Sequence, residues 1–138
     1  MRIVVDTNIF VSSFLSPGGT PRKIIDLWKT GEVILCLSPG IIEEYVLVLG
    51  RLGLEGEPEM DELLELFKKK ANILFTAPAG VLNVVEADPD DDKFIECALH
   101  TKAGLVISGD KHLLDVGRYE GTRIVTPAKF FQNRETLG

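Results

Sequence analysis

Long apolar runs, a basic excess and a cysteine framework are all missing from this chain. The apolar run Tyr45 to Leu49 stops at Gly50 and Arg51, far short of the roughly 20 residues a bilayer span needs. Met1 and Arg2 lead through Ile3-Val4-Val5 straight to Asp6, so no signal-peptide core forms. Cys36 and Cys97 are the two cysteines; they read as reduced thiols, which points to the cytoplasm. His100 and His112 have no cysteines at zinc-ligand spacing and read as surface or capping residues. Repeats, low-complexity tracts and linkers are also lacking. The formal net charge of −6 counts against a uniformly basic face for nucleic acid. Acids gathered around a cation would be neutralised by it, leaving Lys93, Lys102, Lys111, Arg118 and Lys68-Lys69-Lys70 for phosphates. The lysine run itself reads as a solvated helix end matched to the helix dipole.

What is present is a patterned 138-residue chain with 45% hydrophobic residues, enough for one compact domain over residues 1–138. Five β-like segments stand at Arg2–Asp6, Val33–Leu37, Asn72–Thr76, Leu105–Ser108 and Arg123–Thr126. Helical patterns lie between them, at Pro21–Thr30, Pro39–Leu49, Glu59–Lys70 and Asp91–Lys102, with a last one from Pro127. Such alternation predicts an α/β fold with a parallel sheet covered on both faces. Ser38-Pro39 supplies a hydroxyl cap and a proline in the first turn. Met60, Leu63, Leu64 and Phe67 form one apolar stripe, read as core. Gly50 to Pro58 and Ala77 to Pro89 are loops by composition, with Val81-Leu82 and Val84-Val85 as a candidate extra edge strand.

The acids fall in informative places. Asp6 ends the first strand and Asp110 follows the fourth, with Ser108-Gly109 making the turn. In open parallel sheets, ligands sit beyond the carboxyl ends of strands where the order reverses. Either aspartate alone would read as a helix cap; the two at equivalent strand ends point to a site. Within Asp88-Pro89-Asp90-Asp91-Asp92, Asp91 continues the apolar stripe Phe94, Ile95 and Ala98, whereas Asp90 and Asp92 project about 100° to either side. Asp91 is therefore preferred and Asp92 held as its substitute. On the Pro39 helix, Ile41, Tyr45, Val48 and Leu49 mark the buried face; Glu44 borders it and Glu43 points away.

Four carboxylates converging on one crevice repel: at ~5 Å and an effective dielectric of about 20, each pair costs on the order of 3 kcal/mol. Protonation or a cation relieves this. An all-oxygen donor set suits Mg²⁺ or Mn²⁺, which activate water and stabilise a leaving oxygen in phosphodiester hydrolysis.

Val5-Asp6-Thr7-Asn8, Ser38-Pro39-Gly40-Ile41-Ile42-Glu43-Glu44-Tyr45, Asp88 to Phe94 and Ile107-Ser108-Gly109-Asp110-Lys111-His112 together resemble a PIN domain, over Arg2 to about Phe130. The nearest similarity is to toxin components of toxin–antitoxin pairs. The resemblance implies an α/β/α sandwich of about five strands in order 3-2-1-4-5 and an endoribonuclease using Mg²⁺ or Mn²⁺. It also implies metal ligands and catalytic acids at Asp6, Glu44, Asp91 and Asp110, with Asn8 and Ser108 as polar neighbours. RNA is then the substrate, a small antitoxin protein and a second copy of the chain are the partners, and no membrane is involved. Two alternatives stand beside it. One is a catalytically silent PIN-like module that binds RNA or protein. The other is a phosphoacceptor domain, which Thr76 and Ala77 oppose by standing where the third strand should end in aspartate.

Overall fold

A computed structural model describes residues 1–54, 56–77 and 91–132. Its elements run β1 (Arg2–Val5), α1 (Thr7–Leu15), α2 (Thr20–Lys29), β2 (Ile34–Leu37), α3 (Pro39–Arg51), α4 (Pro58–Lys69), β3 (Ile73–Phe75), α5 (Asp92–Thr101), β4 (Leu105–Ile107), α6 (Lys111–Val116), β5 (Arg118–Tyr119), β6 (Thr122–Val125) and α7 (Pro127–Gln132). The candidate strand at Val81–Val85 and the acids Asp88 and Asp90 lie outside the described residues.

The sheet order is β3-β2-β1-β4-β6-β5. Five strands are parallel, in the expected 3-2-1-4-5 arrangement once the last parallel strand is numbered β6. The addition is the two-residue β5, which turns back antiparallel on β6 through Glu120 (φ 53°) and Gly121. A strand that short carries no alternation for sequence patterning to detect.

Buried runs explain the strand assignments: Ile3, Val4 and Val5 in β1, and Leu105, Val106 and Ile107 in β4, are at most 1% exposed. Strands covered on both faces have no polar side to show. Right-handed crossovers then divide the helices between the two faces. On one side, rings tie α1, α3 and α4 together: Phe10 stacks on Tyr45 with centroids 4.1 Å apart and planes at 4°, and Phe67 lies 6.3 Å from Phe10. Trp28 of α2 joins this group through Phe67 at 5.9 Å and donates Nε1–H to Ala71 O at 2.9 Å. On the other side, α5 packs Phe94, Ile95, Cys97 and Ala98 against the sheet. Each large side chain fully buried in this way contributes about 1.5–3 kcal/mol.

Two helices went unanticipated. The β-branched and hydroxyl residues of Thr7–Leu15 have modest helix propensity, and α1 forms because its buried face (Ile9, Phe10, Val11, Ser13) packs against its neighbours. At six residues, α6 is too short to show a period. The Met60–Phe67 stripe is core at Met60 and Leu63, half-buried at Phe67 and 38% exposed at Leu64. Ser38 does not cap α3 with its hydroxyl; its backbone carbonyl accepts from Ile42 N–H at 3.1 Å while Pro39 fills the first turn. Among the described residues, no helix is long and apolar enough to cross a membrane.

Candidate functional site

The β1–β4 register pairs Val5 with Ile107, and Asp6 N–H donates to Ile107 O at 3.0 Å. Asp6 and Ser108 therefore leave neighbouring strands side by side, at the carboxyl edge where the order runs β2-β1-β4. The Ser108 hydroxyl links two aspartates: it donates to Asp6 Oδ2 and accepts Asp110 N–H at 2.9 Å.

Each aspartate also starts a helix. Asp6 Oδ1 accepts Ile9 N–H at 3.0 Å, capping α1. Asp110 Oδ1 accepts His112 N–H at 2.8 Å and Leu113 N–H at 3.1 Å, capping α6. Capping and cleft-lining, weighed as rivals from sequence, coexist here. A cleft of about 210 Å³ is lined by Asp6, Thr7, Asn8, Glu44, Val48, Asp91, Phe94 and Asp110. Four acids from four separate chain segments thus share one wall system. Val48 and Phe94 make its apolar side.

Asp6 is the most enclosed of the four, at 3% exposure. Burial pushes its carboxyl above the usual carboxylate value, and the charge of Asp110 pushes the same way. Hydrogen bonds from Ser108 and from the Ile9 and Asn8 backbone oppose the shift without cancelling it. Glu44 and Asp91 are half-buried, and Glu43 is exposed on the far side of α3, as the helix geometry anticipates. Asp91 lines the cleft; Asp92 does not. Asp92 is nonetheless buried, at 6% exposure, in the first turn of α5. Asn8 is an exposed part of the rim.

Both Glu44 oxygens are engaged: Oε2 accepts the Thr7 hydroxyl and Oε1 pairs with Lys93 Nζ at 2.7 Å. Sequence reasoning gave Thr7 no role and treated Lys93 only as a phosphate contact or a surface lysine. Thr7 stood within the Asp-Thr-Asn segment, but nothing in the sequence tied it to a residue 37 positions away. Tyr45, fully buried beside Glu44, donates its hydroxyl to Val5 O and thereby fixes α3 to the end of β1.

The donor set is all-oxygen, which fits Mg²⁺ or Mn²⁺, and the Asp6 carboxyl is raised chiefly by burial, with the charge of Asp110 adding to it. Among the described residues, no three carboxylate, imidazole or thiol groups stand drawn together as a finished metal site. Asp6, Glu44 and Asp110 each engage oxygens with protein donors.

The family model described as PIN domain matches residues 2–112. The chain is also similar to the uncharacterized protein MJ1680 of Methanocaldococcus jannaschii, with 31% identity over 147 aligned positions covering 98% of this chain and 92% of that protein. The chain belongs to the PIN-domain family, whose members are generally nucleases and typically use divalent metal ions.

Proposed function

We propose that this PIN-domain protein is a metal-dependent endoribonuclease, the toxin of a toxin–antitoxin pair. The observation that carries the reading is the cleft at the sheet's carboxyl edge, lined by Asp6, Glu44, Asp91 and Asp110. These four acids are the proposed metal ligands and catalytic residues, with Asn8, Ser108 and Asp92 in support. One or two Mg²⁺ or Mn²⁺ ions held there would supply water activation and charge stabilisation at the scissile phosphate.

The chain's own contribution is positional. Ser108 holds Asp6 and the Asp110 backbone in register, the caps of α1 and α6 hold both aspartates beside the cleft, and Tyr45 anchors the helix that carries Glu44. Val48 and Phe94 exclude water from one side of the cleft. A protein partner, as an antitoxin or a second copy in a homodimer, belongs to the same reading. Exposed Val46 and Leu47 on α3, at 39% and 54%, and Leu52 just beyond it, at 48%, offer apolar surface for such a contact.

The test is incubation of purified protein with total cellular RNA, with Mn²⁺ or with chelator, followed by mapping of the cut ends. Internal cuts that require Mn²⁺ and vanish in Asp6→Asn and Asp110→Asn are expected. Cleavage unchanged by chelator, or retained in both variants, refutes the reading.

A further inference from the structure

Each Glu44 oxygen has one partner, and the two partners differ in kind. Thr7 offers a neutral hydroxyl; Lys93 offers a full positive charge at 2.7 Å. Lys93 is also well seated, being 23% exposed. Its stem runs beside the first turn of α3, where a Cβ on Gly40 would lie 3.8 Å from Lys93 Cδ. Its ammonium stands 5.3 Å from the centre of the Phe94 ring, a residue that itself lines the acidic cleft. This is not a free surface lysine.

Behind Lys93 lies a second cavity, of about 160 Å³. Its wall includes Ser38 and Gly40 after β2, Thr76 after β3, and Lys93 and His100 of α5, with Glu96 as its acid. Both hollows therefore open at the same edge of the sheet, and Lys93 is a wall of one while pairing with Glu44 in the other.

We infer that Lys93 is a positioning residue that holds the charge of Glu44 in the ion-free cleft and, once Glu44 turns to a divalent ion, carries its ammonium to a phosphate of the RNA strand seated in the neighbouring cavity. The inference rests on the reading of the four acids as a metal site. Two cations on one carboxylate oxygen repel, so Lys93 and the ion compete for Glu44. A released ammonium beside hydroxyls of Ser38 and Thr76 can hold an anionic oxygen. Because coupling between two ligands is reciprocal, ion binding tightens RNA binding and RNA tightens ion binding through this one side chain.

The decisive measurement is Mn²⁺ affinity, read by electron paramagnetic resonance, with and without a non-cleavable 2′-O-methyl oligoribonucleotide. Without RNA, Lys93→Met is expected to bind Mn²⁺ about tenfold more tightly than the unaltered protein, a coupling within the usual range. Lys93→Arg, which keeps the charge, should stay near the unaltered value. With RNA, the unaltered protein should gain Mn²⁺ affinity and Lys93→Met should not. If Lys93→Met does not fold, Lys93→Gln serves in the same comparison. Structural damage alone would weaken Mn²⁺ binding, so the sign separates the two roles. Equal or weaker Mn²⁺ binding by the uncharged variants overturns the inference and leaves the metal reading standing. Absence of Mn²⁺ binding in every form overturns both.

Discussion

Replacing Asp6 by Asn separates two effects that share one side chain. Asparagine caps helices about as well as aspartate, so Ile9 N–H keeps an acceptor and α1 keeps its start. What disappears is a charge held at 3% exposure, whose burial raises the carboxyl above its usual 3.8. With a raised pKa in the folded state, the folded chain binds more protons than the unfolded chain between 3.8 and the shifted value. Stability from this group is thus full below 3.8 and is lost as pH rises through the shifted value. At neutral pH the cost of the buried charge is complete, so in chelator Asp6→Asn should melt at or above the unaltered protein. Below pH 3.8 the two should converge. Adding Mn²⁺ reverses the order. An ion at a hundred times its Kd stabilises by about 2.7 kcal/mol. With an unfolding entropy of about 2.1 cal/mol/K per residue over 138 residues, that is a rise of about 9 °C in Tm. The unaltered protein should show a rise of this size by circular dichroism or dye-based melting, and Asp6→Asn only a small fraction of it. Equal Mn²⁺ shifts in both proteins, or an Asp6→Asn that unfolds well below the unaltered protein in chelator, would refute the reasoning.

Two further outcomes test the scaffold. Tyr45→Phe removes the buried hydroxyl that donates to Val5 O and leaves that carbonyl without its donor; a loss of about 1–3 kcal/mol is expected in urea unfolding, and no loss would mean that water replaces the hydroxyl there. Cys36 and Cys97 are free and buried, with Cys97 pushed up to about 12 by burial and then by its neighbour Cys36. Neither should react with a thiol–disulfide exchange reagent at pH 8 in the native protein, and both should react after denaturation; prompt native labelling would show that α5 separates from the sheet.

The legible and illegible parts of this molecule divide along physical lines. Periodicity separated Glu44 from Glu43 because a helix turns about 100° per residue and the neighbours Ile41, Tyr45 and Leu49 are unambiguously buried. The same argument brought Asp91 to the cleft but did not register that Asp92 would be buried too, since a helix's first turn can face neighbours on several sides. The parallel sheet followed from the alternation of strands and helices and its strand order from the resemblance to PIN domains, whereas β5, at two residues, offered no pattern to read. The α1 segment was hidden by weak propensity and made helical by tertiary packing. Hardest of all were Thr7 and Lys93. Their meeting at Glu44 spans 37 and 49 positions of sequence and arises only when α1, α3 and α5 close around one corner.

Asp6 and Asp110 each anchor a helix while facing the cleft, and this dual employment shapes how the protein can change. Asparagine, serine or threonine at either position satisfies the anchoring while withdrawing a negative charge from the cleft. If these acids hold the ion as proposed, activity is lost at these two places without dismantling the architecture, and inert, well-folded descendants lie a single base change away.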